Sequence, residues 1–234
     1  MKWCLVGVSM ICSITLMAQK ISAEELLNRA IEFHDPNDHW NDLKAILNIT
    51  LEMPDKAGRF SKITIDNRGD YFKLEEKTEN SVIVREINKG NCLFTLNGKS
   101  EFTEEEISQH KLVCDRSTMM RNYYTYLYGL PMKLKDDGTI IHPEVLNRNF
   151  KGVDYLVLKV TYDKEVGNDT WYFYFNPKNY AMEVYQFFHK EDKNDGEYIL
   201  LSELMDIEGI KMPKIRKWYV NKDNSFLGAD VLTD

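Results

Sequence analysis

The chain has 234 residues, 43% of them hydrophobic and 29% charged, with a formal charge of -7 at neutral pH. This acidic balance gives no electrostatic footprint for nucleic acid or an anionic membrane surface, and it excludes both as partners bound by charge. The apolar share supports a real core, and no Pro-, Gly- or Ser-rich linker divides it, so one domain is expected over 19–234.

Lys2 is followed by an apolar run from Trp3 to Ala18 and then by polar Gln19-Lys20. The run is shorter than the roughly 20 residues that span a bilayer and ends in a small residue, the pattern of a secretory signal peptide over 1–18, cut after Ala18. A lipid anchor needs a cysteine after a small residue at the end of the run. Cys12 follows Ile11 in mid-run, so no anchor is expected. Charges interrupt every later apolar stretch, so the mature chain is expected to be exported, without a membrane span.

The first mature element is a helix: Ser22 caps it, Glu25 completes a capping box, and Leu26, Leu27, Ala30, Ile31 and Phe33 form its apolar stripe up to Asp35-Pro36. Leu43 to Met53 alternates apolar and polar residues as a half-buried strand, with Ile46 the one exception. Strands follow at 60–65, 71–75, 81–88 and 92–96, separated by turns at Asn67-Arg68-Gly69, Asn88-Lys89-Gly90 and Asn97-Gly98. Thr103 with Glu106 makes a second capping box, opening a helical region that runs to Gly129 before Pro131. Its last turns, with Met119, Met120, Tyr123, Tyr124, Tyr126, Leu127 and Tyr128, are apolar nearly all round and should lie on the sheet.

After a loop at Asp136-Asp137-Gly138, strands are predicted at 153–162, 171–175, 180–188, 198–205 and 215–220. No helix is predicted beyond about residue 150, which excludes the βαβ alternation of a doubly wound nucleotide-binding fold. The segment Asp169 to His189 reads as two aromatic strands around an Asn176-Pro177-Lys178-Asn179 turn. Trp171, Phe173 and Phe175 face one way and Tyr172 and Tyr174 the other, so both faces need cover.

Signatures of chemistry are sparse. The twelve glycines form no phosphate-cradling loop, no serine sits in a nucleophile elbow, and Cys-x-x-Cys is missing. His34, Asp35, Asp38 and His39 could together hold zinc, but residues of these types at a helix end more often serve as turn and cap devices, so neither a metal nor any other cofactor is expected. Cleavage leaves Cys92 and Cys114 in an oxidising compartment, either bridged or separately buried. The tyrosines of the helix, with Trp171 and Phe173, either fill a helix-on-sheet core or line a concave pocket.

His34-Asp35 at the end of the first helix, Gly129-Leu130-Pro131, the Tyr172-Phe173-Tyr174-Phe175-Asn176-Pro177 hairpin and Gly209-Ile210-Lys211-Met212-Pro213, in this order, resemble a family of exported bacterial proteins of unknown function. That family is in turn similar to the LolA and LolB lipoprotein-carrier superfamily of the Gram-negative envelope. The resemblance implies an α+β fold in which an antiparallel sheet curves into an open half-barrel and helices cover its concave face. It also implies a protein of the periplasm or envelope, and it supplies no catalytic or ligand residues.

The leading expectation is a non-enzymatic protein that binds or carries an apolar or lipid-like ligand, lined by Tyr123, Tyr126, Leu127, Trp171 and Phe173. The alternatives are an interaction or sensing module with a packed interior, whose partner is another envelope protein, and a metal-assisted hydrolase built on the His34 to His39 cluster.

Overall fold

The computed structural model describes residues 20–233; the expected signal peptide lies outside them. Helix α1 (Ala23–His34) precedes five strands: β1 (Lys44–Met53), β2 (Lys56–Asp66), β3 (Tyr71–Lys77), β4 (Val82–Asn88) and β5 (Asn91–Leu96). Helices α2 (Glu104–His110) and α3 (Cys114–Gly129) come next. Seven more strands complete the chain: β6 (Thr139–Phe150), β7 (Val153–Tyr162), β8 (Thr170–Phe175), β9 (Met182–Phe188), β10 (Glu197–Ile207), β11 (Ile210–Val220) and β12 (Phe226–Thr233).

All twelve strands form one open antiparallel sheet in the order β5-β4-β3-β2-β1-β12-β11-β10-β9-β8-β7-β6. The first and last strands pair at its middle, with Leu51 opposite Asp230. The chain therefore meanders outward from β1 to the β5 edge, crosses to the β6 edge through α2 and α3, and meanders back. Two-residue hairpins drive the meander. Lys89-Gly90 between β4 and β5, Lys151-Gly152 between β6 and β7, and Glu208-Gly209 between β10 and β11 take φ values of 48° and 80°, 51° and 86°, and 51° and 86°, the left-handed pairs whose twist matches that of flanking strands.

The helices cover the concave face, as the α+β half-barrel reading expects. Leu26, Leu27 and Ala30 of α1 and Met120, Leu127 and Tyr128 of α3 join Leu47, Ile49, Ile63, Phe72, Phe173, Tyr185, Ile199 and Met212 of the sheet in one core. Alternation along β8 holds: Phe173 and Phe175 enter that core, while Tyr172 and Tyr174 join Tyr155, Val157 and Val184 in a second cluster on the convex side. Among the described residues no α-helix packs on this second cluster. Arg148 lies 4.0 Å over the Tyr172 ring, and Glu191 accepts a hydrogen bond from the Tyr172 hydroxyl.

Several elements depart from the sequence expectations. The single helical region is two helices, because Lys111 turns left-handed (φ 49°) and Arg85 of β4 binds the carbonyls of His110 and Lys111 at 2.6 and 2.9 Å. Thr103 and Glu106 form their capping box in full; at Ser22 only the hydroxyl bond forms, since Glu25 pairs with Arg29. Strands β6 and β12 were not predicted, and β11 begins five residues earlier than expected. Pro143 and a register irregularity between Ile141 and Val145 disguise β6, and both are tolerable because it is an edge. In β11 it is Pro213 that masks the pattern.

Cys92 of β5 is bonded to Cys114, the first residue of α3, with Cα atoms 5.7 Å apart and 22 residues of sequence separation. The bridge fixes the start of the crossing helix to the β5 edge. A closed loop of this size stabilises by roughly 3 kcal/mol in the chain-entropy picture. Urea unfolding of the Cys92→Ala, Cys114→Ala double variant is expected to show a loss of that order, and reduction of the native protein a similar one. Equal midpoints with and without reductant would show that the thiols are not bonded.

Candidate functional site

A helix with apolar residues all round cannot bury every side at once. Met120, Tyr124 and Leu127 of α3 face the core, which leaves Met119 and Tyr123 48% and 42% exposed. These two residues, with Asn122, Thr125 and Tyr126, form one wall of a cavity of about 860 Å³. The opposite wall is Tyr162 at the end of β7, Trp171 at the start of β8, and the intervening loop at Glu165, Val166, Gly167 and Asp169. Val166 is 59% exposed.

The back of the cavity is an aromatic lattice. Tyr126 meets Trp171 edge to face at 5.7 Å and shares a hydroxyl–hydroxyl hydrogen bond with Tyr162. Trp171 stacks on Phe187 at 4.8 Å and Phe173 at 5.9 Å. Burial keeps these phenols protonated, with that of Tyr162 pushed up to about 12 and that of Tyr126 well above its ordinary value. Charges lie at the rim. Lys133 pairs with Asp136, and Asp169 accepts from His189 at 2.7 Å, a bond that raises the imidazole pKa.

Of the five side chains expected to line a ligand site, Tyr123, Tyr126 and Trp171 meet at this cavity. Leu127 and Phe173 do not reach it; they are 3% and 0% exposed, packed in the core. Met119, Tyr162 and Val166 complete the apolar wall without having been foreseen. Strand periodicity marked Tyr162 as a strand end but carried nothing to pair it with Tyr126, 36 residues away.

The His34 to His39 cluster is committed to structure. The His34 Nδ1 donates to the Lys211 carbonyl at 2.6 Å and its Nε2 accepts from the Met182 amide at 3.0 Å, which uses both ring nitrogens. Asp35 accepts from the amides of His39 and Trp40 at 2.8 and 2.9 Å, and His39 Nδ1 bonds the Glu208 carbonyl at 2.8 Å. Asp38 supplies the left-handed turn between them (φ 54°). Among the described residues no three His, Cys, Asp or Glu side chains converge on a metal position.

The chain belongs to the family of unknown function DUF6503, whose model matches residues 4–234. No curated protein matches it. Similar solved structures include a LolA superfamily protein from Nitrosomonas europaea, with 14% identity, a TM-score of 0.50, and coverage of 92% of this chain and 93% of that one. A putative outer membrane lipoprotein-sorting protein domain from Vibrio parahaemolyticus has 12% identity, a TM-score of 0.49, and coverage of 89% and 90%. A DUF1329 family protein from Desulfovibrio piger has 12% identity, a TM-score of 0.43, and coverage of 90% and 91%. The first likeness establishes a LolA-like fold, in agreement with the sequence resemblance; at such identities it speaks to fold alone.

Burial lowers the His34 pKa from 6.5 to about 4. Between these values the unfolded chain takes up a proton that the folded one refuses. The corresponding stability is full above about pH 6.5 and is lost as the pH falls toward 4, by on the order of 3 kcal/mol. In urea unfolding at pH 7 and pH 4.5, the His34→Gln variant is expected to be weaker at pH 7 but to lose less on acidification. An equal acid loss in both proteins would remove His34 from this role.

Proposed function

We propose that this chain is a non-enzymatic envelope protein that holds an apolar or lipid-like ligand in the cavity between α3 and the β7–β8 edge. The observation that carries the reading is the concentration of exposed Met119, Tyr123 and Val166 around one concavity, backed by Tyr126 and Trp171. Apolar surface left to water costs roughly 25 cal/mol per Å², so a hydrocarbon tail that covers it binds by that gain. The cavity's volume falls within the roughly 300–1,000 Å³ of small-molecule sites. Tyr123, Tyr126 and Trp171 contact the ligand, and Leu127 and Phe173 hold the wall rigid behind them.

A binding role suits the chemistry of the lining. Lys133 pairs with Asp136 at the rim, Asp169 accepts from His189, Asn122 and Thr125 are uncharged, and Glu165 is the one lining carboxylate without a partner among the described residues. Among the described residues no nucleophile stands beside a base aimed into the concavity, so no covalent step is assigned. The signal-like sequence over 1–18 and the fold likeness to a LolA superfamily protein support an exported carrier or receptor. One observation favours the second reading, an interaction module: the tight packing of Leu127 and Phe173 makes the space shallower than a fully open half-barrel.

The uncharged probe N-phenyl-1-naphthylamine is expected to brighten on binding the mature protein, and Trp171→Ala to weaken that binding about tenfold, or about 1.4 kcal/mol. Unchanged fluorescence with the native protein would contradict the proposal.

A further inference from the structure

The cavity beside α3 opens onto a second space. Asn122, Thr125, Lys133 and Asp136, which line the cavity, also line a basin of about 380 Å³. Asn122 and Thr125 stand one helical turn apart, so a single face of α3 is common to both spaces. The rest of the basin comes from Trp40 and Asn41, from Arg121, and from the end of β2 and start of β3 with the turn between them. Its exposed lining is mostly polar, whereas that of the cavity is mostly apolar.

The basin is fixed in shape and balanced in charge. Trp40 is held on both sides, its amide donating to Asp35 at 2.9 Å and its carbonyl accepting from the Asn67 side chain at 2.7 Å. Gly129 lets the indole lie flush on the end of α3, since a Cβ there would come within 2.3 Å of the ring. Every charged side chain in the lining has a partner: Arg121 pairs with Asp70 at 3.4 Å, Asp66 with Lys44 at 3.5 Å, and Lys133 with Asp136. A charged head would therefore find no free counter-charge. The exposed amides of Asn41 and Asn122 are in no side-chain hydrogen bond among the described residues. A carboxamide both donates and accepts, which suits a hydroxyl.

We propose that the ligand is an amphiphile with an uncharged, hydroxyl-rich head, a sugar or a glycerol, which sits in this basin while its tail passes Asn122 and Thr125 to lie along Met119, Tyr126 and Trp171. This rests on the ligand-binding reading above and adds the chemistry of the head. Glu165, the carboxylate without a partner, lines the cavity and not the basin. It opposes an anionic ligand, and it would draw a cationic head to the β7–β8 loop and leave the basin empty.

The test is displacement of N-phenyl-1-naphthylamine from the native protein by lauryl-chain amphiphiles below their micellar concentrations: dodecyl maltoside, glycerol monolaurate, laurate and dodecyltrimethylammonium. The tighter of the two uncharged ligands is expected to bind about tenfold better than either ion, and it identifies the head as sugar or glycerol. Asn41→Ala is expected to weaken that ligand about fivefold with probe affinity unchanged, because Asn41 lines the basin alone. Asp70→Asn keeps a residue that tolerates the left-handed backbone at this position (φ 48°) and frees Arg121, so laurate is expected to gain about threefold on the uncharged ligand. Equal affinity for all heads, tightest binding by either ion, or variants that bind like the native protein would overturn the basin while leaving the cavity reading intact. Failure of the probe and every amphiphile to bind would overturn both.

Discussion

A helical segment must cross the concave face of this sheet, and the way it is held governs the rest of the molecule. Pairing β1 with β12 at the centre puts β5 and β6 at opposite edges, so α2 and α3 carry the chain between them. Arg85 binds the last carbonyls of α2, Arg216 binds the Leu127 carbonyl of α3, and Cys92–Cys114 ties the start of α3 to β5. Helix ends leave carbonyls without partners, and guanidinium groups rising from the sheet supply donors for them.

Charge inside a core is costly unless compensated, and on the concave face it is compensated in part by carboxylates and in part by helix and strand carbonyls. Glu76 lies between Arg59 and Arg85 at 3.4 and 3.6 Å, and Arg59 also reaches the Tyr124 hydroxyl. Further along, Arg59, Leu51, Asp230 and Arg216 fall in register across β2, β1, β12 and β11. The polar strip seats the helices, while the aromatic surplus of α3 is displaced toward β7 and β8. There it meets Tyr126, Tyr162 and Trp171 and leaves the cavity open. Fold and candidate site thus follow from one demand, that an over-apolar helix be held by polar anchors.

Much of this was legible in the sequence wherever a local rule was strong. Alternation in Leu43 to Met53, including exposed Ile46, and the turns at Gly69 and Lys89-Gly90 marked the outward meander, the cap at Thr103 marked the start of α2, and the order of short motifs pointed to the half-barrel. What escaped was set by tertiary context. Pro143 hid an edge strand, Gly228 and Asp230 hid the strand that closes the sheet at its centre, and Arg85 ended a helix that the sequence continues. In the site, Tyr123, Tyr126 and Trp171 stood out as aromatics without a local reason. Nothing in their spacing said that Leu127 and Phe173 would turn inward, or that Arg216 would lie beneath α3, because those placements depend on pairings across the whole chain.

Native mass spectrometry of the protein purified from the cells that make it, followed by solvent extraction, tests the central claim most directly. The account predicts a defined, extractable adduct of lipid-like mass at one per chain. An adduct-free protein that also leaves no amphiphile in the extract would contradict it and would make the apolar concavity a docking face for another protein.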